Sequence, residues 1–215
     1  MTPGEGLERI VRPLVFTTFG AMLGAWTALS LVAVGFGGPV GQREYANLVH
    51  RGDVYDGDTF WLGETSLRLY GVDAPERTQP CSSAEPCGVL SQEYLADLLD
   101  GALVRCAVRE RQDGQVTESF GRPLVQCRAR TREGEFDIGE RMIRDGYAVI
   151  YQSAHPEQYE HIVVSPGHGL LRLCWLHPTG WRRDRAARRA FLAGNLEGLD
   201  LVGAGCPLPN SGNLR

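Results

Sequence analysis

Hydrophobic and polar residues alternate with a period of mostly two between Ala46 and Leu69, a pattern typical of β-strands with one buried face. Turn residues at Asp56-Gly57 and Gly63-Glu64 interrupt the alternation. The segment therefore predicts three short strands joined by tight turns. After a loop rich in Pro and Ser, the stretch VLSQEYLADLLDG changes to a helical period, and Gly101 marks the predicted end of that helix.

The pattern returns to strands in the second half of the chain. Two strands are predicted near Ala102–Arg109 and Arg122–Arg130, followed by a short helix at FDIGERMIRDG and a strand at YAVIYQ. A helical pattern resumes at Pro156, but the sequence SPGHG interrupts it. These short strands with appended helices favour an α+β fold built on a small, closed or partly closed β-barrel.

An uninterrupted apolar stretch lies near the N-terminus, where Leu14–Phe36 contains no charged residue. As a helix it would be about 34 Å long, enough to cross a hydrocarbon core of about 30 Å. We therefore expect a transmembrane signal anchor at 14–36, between a cytoplasmic N-terminus at 1–13 and a linker at 37–45. A cleaved signal peptide is the alternative, because Ala33-Val34-Gly35 offers a small-x-small cleavage site and the protein would then be secreted.

Composition and charge restrict the partners of the chain. The formal net charge of −4 over 215 residues does not favour a broad basic surface for nucleic acid or anionic lipid. All 22 positively charged side chains are Arg. Contacts with phosphate would therefore come from planar guanidinium groups with two donor sites, and not from ammonium groups.

The six cysteines form an even set without a C-x-x-C pair, which disfavours a zinc cluster. Two of them bracket one loop, two others are equidistant from a predicted hairpin tip, and the last two remain for each other. The predicted disulfides are Cys81–Cys87, Cys106–Cys127 and Cys174–Cys206. Disulfides indicate an oxidising compartment, so we expect the domain outside the cytoplasm, in a periplasmic or extracellular location. Free thiols in a cytosolic protein are the alternative.

Acidic residues are concentrated around the first predicted hairpins. Asp58 begins one hairpin arm and Asp73 follows the end of the other, so their carboxylates are expected to lie close together. Such a pair repels itself unless a cation lies between the two groups. A hard divalent cation would suit these oxygen ligands, with backbone carbonyls and water as further ligands. Glu76, in a turn fixed by Pro75, could position or deprotonate a water beside that metal.

Two arginines are predicted to face the same place. Arg68 lies within a strand, and Arg122 begins another strand directly after Gly121. Two guanidinium groups opposite a metal form a clamp for a phosphodiester and for the additional charge of its transition state. The arginine run from Arg182 to Arg189 is interpreted as a solvated helix face, with binding to nucleic acid or to a membrane surface as the alternative. Trp175 and Trp181 are interpreted as packing residues, with base stacking as the alternative.

Several motifs resemble those of the staphylococcal nuclease (thermonuclease) family: DGDTFWL, LRLYGVDAPE, FGRPLVQC, IRDGYAVIY and, more weakly, CWLHPTGWRR. The resemblance extends over residues 46–183, about two-thirds of the chain. It implies a five-stranded OB-type β-barrel with helices over that range. An Arg-rich tail with Pro and Gly is expected at 184–215.

The resemblance also implies roles for individual residues. Asp58, Asp73 and the backbone carbonyl of Ala74 would bind Ca²⁺, and Glu76 would be the general base. The phosphate-binding residues that stabilise the transition state would be Arg68 and Arg122, and Phe120 stands at a substrate-binding position where the family usually has Tyr. The family cleaves DNA and RNA with little sequence preference and leaves 3′-phosphate ends.

These observations favour a membrane-anchored, Ca²⁺-dependent nuclease whose catalytic domain lies outside the cytoplasm. Its partners would be DNA or RNA as substrate and the membrane through the N-terminal helix, with no protein partner evident. The alternative is a non-catalytic OB-fold module of the cell envelope that binds nucleic acid or protein. A structural envelope protein, with the barrel as a disulfide-braced scaffold, is a further alternative.

Overall fold

A computed structural model of the chain describes residues 43–151, 157–164 and 167–206. The expected transmembrane segment at 14–36 and the start of its linker lie outside these residues. Within them, no helix combines the length and the apolar composition that crossing a membrane requires.

Short strands and short helices alternate along the described residues. The strands are β1 (Glu44–Val49), β2 (Val54–Asp56), β3 (Thr59–Leu62), β4 (Thr65–Leu69), β5 (Val72–Asp73), β6 (Ala102–Val108), β7 (Glu118–Ser119), β8 (Arg122–Thr131), β9 (Gly134–Asp137), β10 (Val149–Ile150), β11 (Trp175–Leu176) and β12 (Leu201–Val202). The α-helices are α1 (Cys87–Leu99), α2 (Ile138–Arg144), α3 (Pro178–Arg183) and α4 (Arg185–Leu192).

The main sheet is a curled half-barrel with the strand order β1-β6-β8-β4-β3-β2, and β7 and β9 also pair with β8. The pairing of β4 with β8 is parallel, with Arg68 opposite Leu124, and the other pairs of this sheet are antiparallel. The inner face of the curl is apolar and includes Phe60, Leu67 and Val125, all fully buried. This arrangement places the beginning of β8 beside β4, where the predicted arginines are located.

The structure confirms a mixed α+β fold with an OB-like curled sheet and the helix α1, but it contains more strands than the five expected. Three strands were expected between Ala46 and Leu69, and four are present there. The additional break is a 3₁₀ turn at Arg51–Asp53, in which the Asp53 carboxylate accepts a hydrogen bond from the backbone N–H of His50 at 2.8 Å. This local side-chain bond ends β1 where alternation alone suggests a continuous strand.

Strands β11 and β12 and helices α3 and α4, within residues 175–202, form what we call the C-terminal unit. Strand β11 pairs with β12, and the side chains of Leu176, Trp181 and Phe191 form a buried cluster below α3 and α4. Residues 184–206, expected as a tail, thus contain α4 and β12. The Asp184 carboxylate caps α4 by accepting hydrogen bonds from two backbone N–H groups, and Phe191 supplies the apolar contact of this arginine-rich helix. Trp175 and Trp181 are packing residues, as predicted.

Three disulfides are present, and they are the three predicted pairs. Cys106 and Cys127 are direct partners in the register of β6 and β8, so their bond crosses the curled sheet's central strands. Cys81–Cys87 ties the loop after β5 to the first residue of α1. Cys174–Cys206 connects the residue before β11 with the chain beyond β12.

Replacing Cys106 and Cys127 together with Ala should lower the free energy of unfolding. The two residues are 21 positions apart, and loop-closure entropy for such a separation corresponds to about 3 kcal/mol. Urea denaturation of the full chain, with the other two disulfides intact, measures the effect. An unchanged unfolding midpoint would contradict this contribution of the β6–β8 disulfide.

Candidate active site

The predicted acids come together where β2, β3, β4 and β5 meet. Asp58 lies in the turn between β2 and β3, and its backbone carbonyl accepts a hydrogen bond from the N–H of Leu69 at 2.9 Å. Asp73 is the last residue of β5. The backbone of Gly57 allows this close arrangement, because a Cβ at that position would lie 2.7 Å from the Cβ of Ala74. A tight turn and two strand ends thus place the two carboxylates at one location.

Arg68 connects the two buried carboxylates. Its Nη1 lies 2.6 Å from Oδ1 of Asp58, and its Nη2 lies 3.5 Å from Oδ1 of Asp73. The side chains of Asp58 and Asp73 are 3% and 0% exposed, so neither carboxylate is solvated by bulk water. The guanidinium group therefore supplies the positive charge that the proximity of the two acids requires.

Arg122 reaches the same cluster through Thr59. Its Nη1 donates a hydrogen bond to Oγ1 of Thr59 at 3.1 Å, and that hydroxyl donates to Oδ1 of Asp58 at 2.9 Å. Oδ2 of Asp58 accepts from the backbone N–H of Ala74 at 3.2 Å. The backbone of Ala74, the predicted carbonyl ligand, thus lies directly beside the Asp58 carboxylate.

A third arginine, Arg182 of α3, enters the site from the C-terminal unit. Its Nη2 lies 2.8 Å from Oδ1 of Asp73, and its Nη1 lies 2.9 Å from Oε1 of Glu76. Oδ2 of Asp73 accepts a hydrogen bond from Oγ1 of Thr179 at 3.2 Å. The interpretation of Arg182 as part of a solvated helix face was wrong, because its side chain is only 24% exposed and contacts two acids. The WRR sequence within the weakest family-like motif was the available signal for it.

Asp56 is a further carboxylate that the sequence interpretation left in a simple turn. Its side chain accepts a hydrogen bond from the backbone N–H of Asp58 at 3.1 Å, and the residue is 5% exposed. Burial, and then the neighbouring charge of Asp58, raise the pKa of Asp56 to about 8. The raised pKa favours the neutral form of Asp56, which reduces the repulsion between the acids of the turn.

For both Asp73 and Arg182, burial and ion pairing shift the pKa in opposite directions. Burial raises the pKa of Asp73, whereas the adjacent Arg182 guanidinium lowers it, and the net direction is upward. Burial lowers the pKa of Arg182, but the charges of Asp73 and Glu76 outweigh burial and raise it overall. Arg182 therefore remains a cation at any pH at which the protein is folded.

A cleft of about 440 Å³ lies beside the acids and arginines. Phe120 lies on its rim in the turn between β7 and β8, with a positive φ of 54° and a side chain that is 93% exposed. The functional side chains that line the cleft include Arg68, Glu76, Arg122, Tyr151 and Arg182. The structure thus brings the predicted Arg68, Glu76, Phe120 and Arg122 to one cleft, beside the buried Asp58 and Asp73.

The residues predicted as metal ligands lie beside the cleft and not on its lining. Asp58, Asp73 and the backbone of Ala74 offer only oxygen ligands, which Ca²⁺ prefers, and the two carboxylates lie close enough to share one guanidinium group. The described residues contain no group of three or more His, Cys, Asp or Glu side chains arranged for a metal ion. The expected calcium set would use two such side chains together with a carbonyl.

Comparisons with known proteins agree with this geometry. A family model described as staphylococcal nuclease homologue matches residues 66–164. The protein named probable endonuclease LCL3, from Yarrowia lipolytica (strain CLIB 122 / E 150), is 30% identical over 93 residues. That alignment covers 42% of this chain and 38% of the relative, so the chain spans less than half the length of the protein that it matches.

Residues 66–164 of this chain are therefore similar to a staphylococcal nuclease domain. The matched residues include Arg68, Asp73, Glu76 and Arg122. Asp58 precedes the matched range and Arg182 follows it. The positions of Asp58 and Arg182 at this site are therefore known from the three-dimensional structure and not from the family match.

Replacing Gly88 with Ala should displace the backbone that carries Glu76. A Cβ at Gly88 would lie 1.8 Å from the carbonyl oxygen of Glu76, which is far inside van der Waals contact. We expect a loss of about 1–3 kcal/mol of stability from overpacking and a fall on the order of 10- to 100-fold in the turnover of any reaction that uses the misplaced carboxylate. Thermal unfolding and turnover would be measured side by side.

Gly52→Ala provides the matched control, since a Cβ at Gly52 meets no atom within 4 Å. It should leave both quantities near those of the unmodified protein. Equal behaviour of the two variants would contradict the close packing of Gly88 against Glu76.

Proposed function

We propose that this protein is a Ca²⁺-dependent nuclease that hydrolyses phosphodiester bonds of DNA or RNA with low sequence specificity and leaves 3′-phosphate ends. The observation that carries the proposal is the cluster in which Arg68 contacts both Asp58 and Asp73, next to Glu76 in the same cleft. A protein that only binds nucleic acid has no evident use for two buried carboxylates beside a third that is partly exposed. The curled sheet would then correspond to the five-stranded OB-type barrel of the thermonuclease family.

Asp58, Asp73 and the carbonyl of Ala74 would hold the calcium ion. Bound Ca²⁺ would supply Lewis-acid polarisation of the scissile phosphate. The buried location of the two aspartates keeps water away from their carboxylates, which strengthens their electrostatic interactions.

Glu76 would act as the general base. Its side chain is 31% exposed and borders the cleft, so a water molecule in the cleft can reach it. The carboxylate would accept a proton from the attacking water as the new P–O bond forms, while the bond between phosphorus and the 5′ oxygen breaks and that oxygen takes up a proton from water. Arg68 and Arg122 line the same cleft, where their guanidinium groups would bind the phosphate oxygens and stabilise the charge that develops on them.

The same proposal includes an extracytoplasmic location with residues 14–36 as a membrane anchor. Two observations support it: the uncharged stretch Leu14–Phe36 in the sequence and three disulfides in the described domain, which persist in oxidising compartments. If residues 14–36 are instead removed as a signal peptide, the protein would be secreted.

The central test compares Glu76→Gln with the unmodified full chain, produced under oxidising conditions and kept in detergent. Single-stranded DNA and RNA would be incubated with millimolar Ca²⁺ or with a chelator. We expect cleavage only with Ca²⁺, and a loss in Glu76→Gln of roughly 10²- to 10⁴-fold, the usual contribution of a positioned base. Glu64→Gln, at an exposed turn position, is the matched control and should cleave normally. Binding without cleavage in every divalent metal would favour the non-catalytic binding module.

Arg122→Ala should reduce kcat by about 10²- to 10³-fold, because it removes a preorganised donor to the transition state. Arg132→Ala removes the same charge from an exposed position near the other end of β8 and should leave kcat unchanged. Steady-state kinetics on a short DNA substrate measures both. A similar small effect in both variants would mean that Arg122 acts only through the overall charge of the protein.

A further inference from the structure

Arg182 is a site arginine that the family match does not include, since that match ends at residue 164. It is also the arginine that contacts both Asp73 and Glu76, at 2.8 and 2.9 Å. The two distances involve different nitrogen atoms, Nη2 and Nη1, so one planar guanidinium group spans two carboxylates. Such a fork fixes the separation of its two partners, which a single-point cation such as an ammonium group does not.

The C-terminal unit holds Arg182 in this position. The neighbouring Trp181 is 7% exposed and packs in the cluster with Leu176 and Phe191. His177 caps α3 by accepting a hydrogen bond from the backbone N–H of Thr179. Because α3 contains only six residues, its orientation depends on these contacts more than on its own helical stability.

A second contact joins the same unit to the loop that carries Glu76. The side-chain amide of Gln79 is 1% exposed, donates to the carbonyl of Leu176 in β11 and accepts from the backbone N–H of Glu76 at 3.3 Å. The backbone N–H of Gln79 donates to the Glu76 carbonyl at 2.7 Å. Both the backbone and the carboxylate of Glu76 are therefore tied to the C-terminal unit.

We propose that Arg182 is a positioning residue of the active site, which orients the carboxylate of Glu76 relative to Asp73. The inference rests on the proposed nuclease function, in which Glu76 is the base and Asp73 a metal ligand. Arg182 acts through these two groups. This role of Arg182 makes the C-terminal unit, which lies outside the residues matched by the family model, a required part of the catalytic apparatus.

The charge of Arg182 has a second consequence at Asp73. A guanidinium group against Oδ1 of Asp73 repels a divalent cation at the same carboxylate and competes with it for that oxygen. Removing the guanidinium should therefore strengthen calcium binding while it weakens turnover. If Arg182 were needed only for folding, its removal would lower calcium affinity and turnover together, because a disordered site loses both.

The experiment measures kcat and calcium affinity in the full chain for Arg182→Ala, Arg182→Lys and Arg185→Ala. Arg185 is the exposed first residue of α4 and provides the same change of charge in the same unit. Calcium affinity is measured by titration calorimetry without nucleic acid, which does not depend on activity. Circular dichroism and thermal unfolding show which variants retain the fold.

Arg182→Ala is expected to lower kcat by about 10- to 100-fold, as the loss of supporting contacts around metal ligands usually does, and to bind Ca²⁺ roughly threefold or more tightly. Arg182→Lys keeps the charge without the fork, so its calcium affinity should stay near that of the unmodified protein while kcat falls about tenfold. It also tests the inference if the Ala variant fails to fold. Arg185→Ala should change neither quantity.

Three results would overturn the inference. In the first, the folded Arg182 variants have the same kcat as Arg185→Ala. In the second, calcium affinity and kcat are lost together. In the third, the calcium affinity of Arg182→Ala is unchanged. These results differ from a failure of the proposed function itself, in which the unmodified chain, still folded, cleaves neither DNA nor RNA in any divalent metal.

Discussion

The proximity of two buried carboxylates, Asp58 and Asp73, is the constraint on which the rest of the site depends. Neither group is solvated, so each would raise the free energy of the folded state unless cations and hydrogen-bond donors surround it. Arg68 contacts both acids, Arg182 contacts Asp73, and backbone or hydroxyl donors occupy the remaining carboxylate oxygens. An apolar pair at these positions would be easier to bury. The retention of charge therefore indicates that the acids serve a ligand or a reaction.

The fold satisfies this constraint by bringing distant elements to one place. The hairpin of β3 and β4 places Arg68 beside Asp58, and the parallel pairing of β4 with β8 adds Arg122 from a strand that begins more than fifty residues later. Helix α1 packs so closely that only Gly fits at position 88 against the carbonyl of Glu76. The C-terminal unit completes the site with Arg182, and the Cys174–Cys206 bond connects both ends of that unit.

The sequence predicted the residues of the site that depend on local spacing, and of the distant arginines it predicted Arg122 but missed Arg182. Arg68 lies in the hairpin that follows Asp58, and Asp73 lies in the short strand directly after that hairpin, so local strand spacing already predicted that the three residues lie close together. Arg182 is 109 residues from Asp73, and its dense arginine surroundings are typical of a solvated helix. Only the packing of Trp181 and Phe191 turns it towards the cleft. The raised pKa of Asp56 likewise depends on burial, which an Asp-Gly-Asp turn does not indicate.

The acids of this cleft must meet two opposing requirements. In the folded protein they need enough positive charge nearby to be buried, yet a metal ligand must not be so well neutralised that calcium cannot compete for it. Asp58, Asp73 and Glu76 are contacted by the two guanidinium groups of Arg68 and Arg182, and this leaves one negative charge uncompensated among these five groups. A cluster with a modest negative excess can be buried with the help of its arginines and still attract a divalent cation, as the proposed function requires.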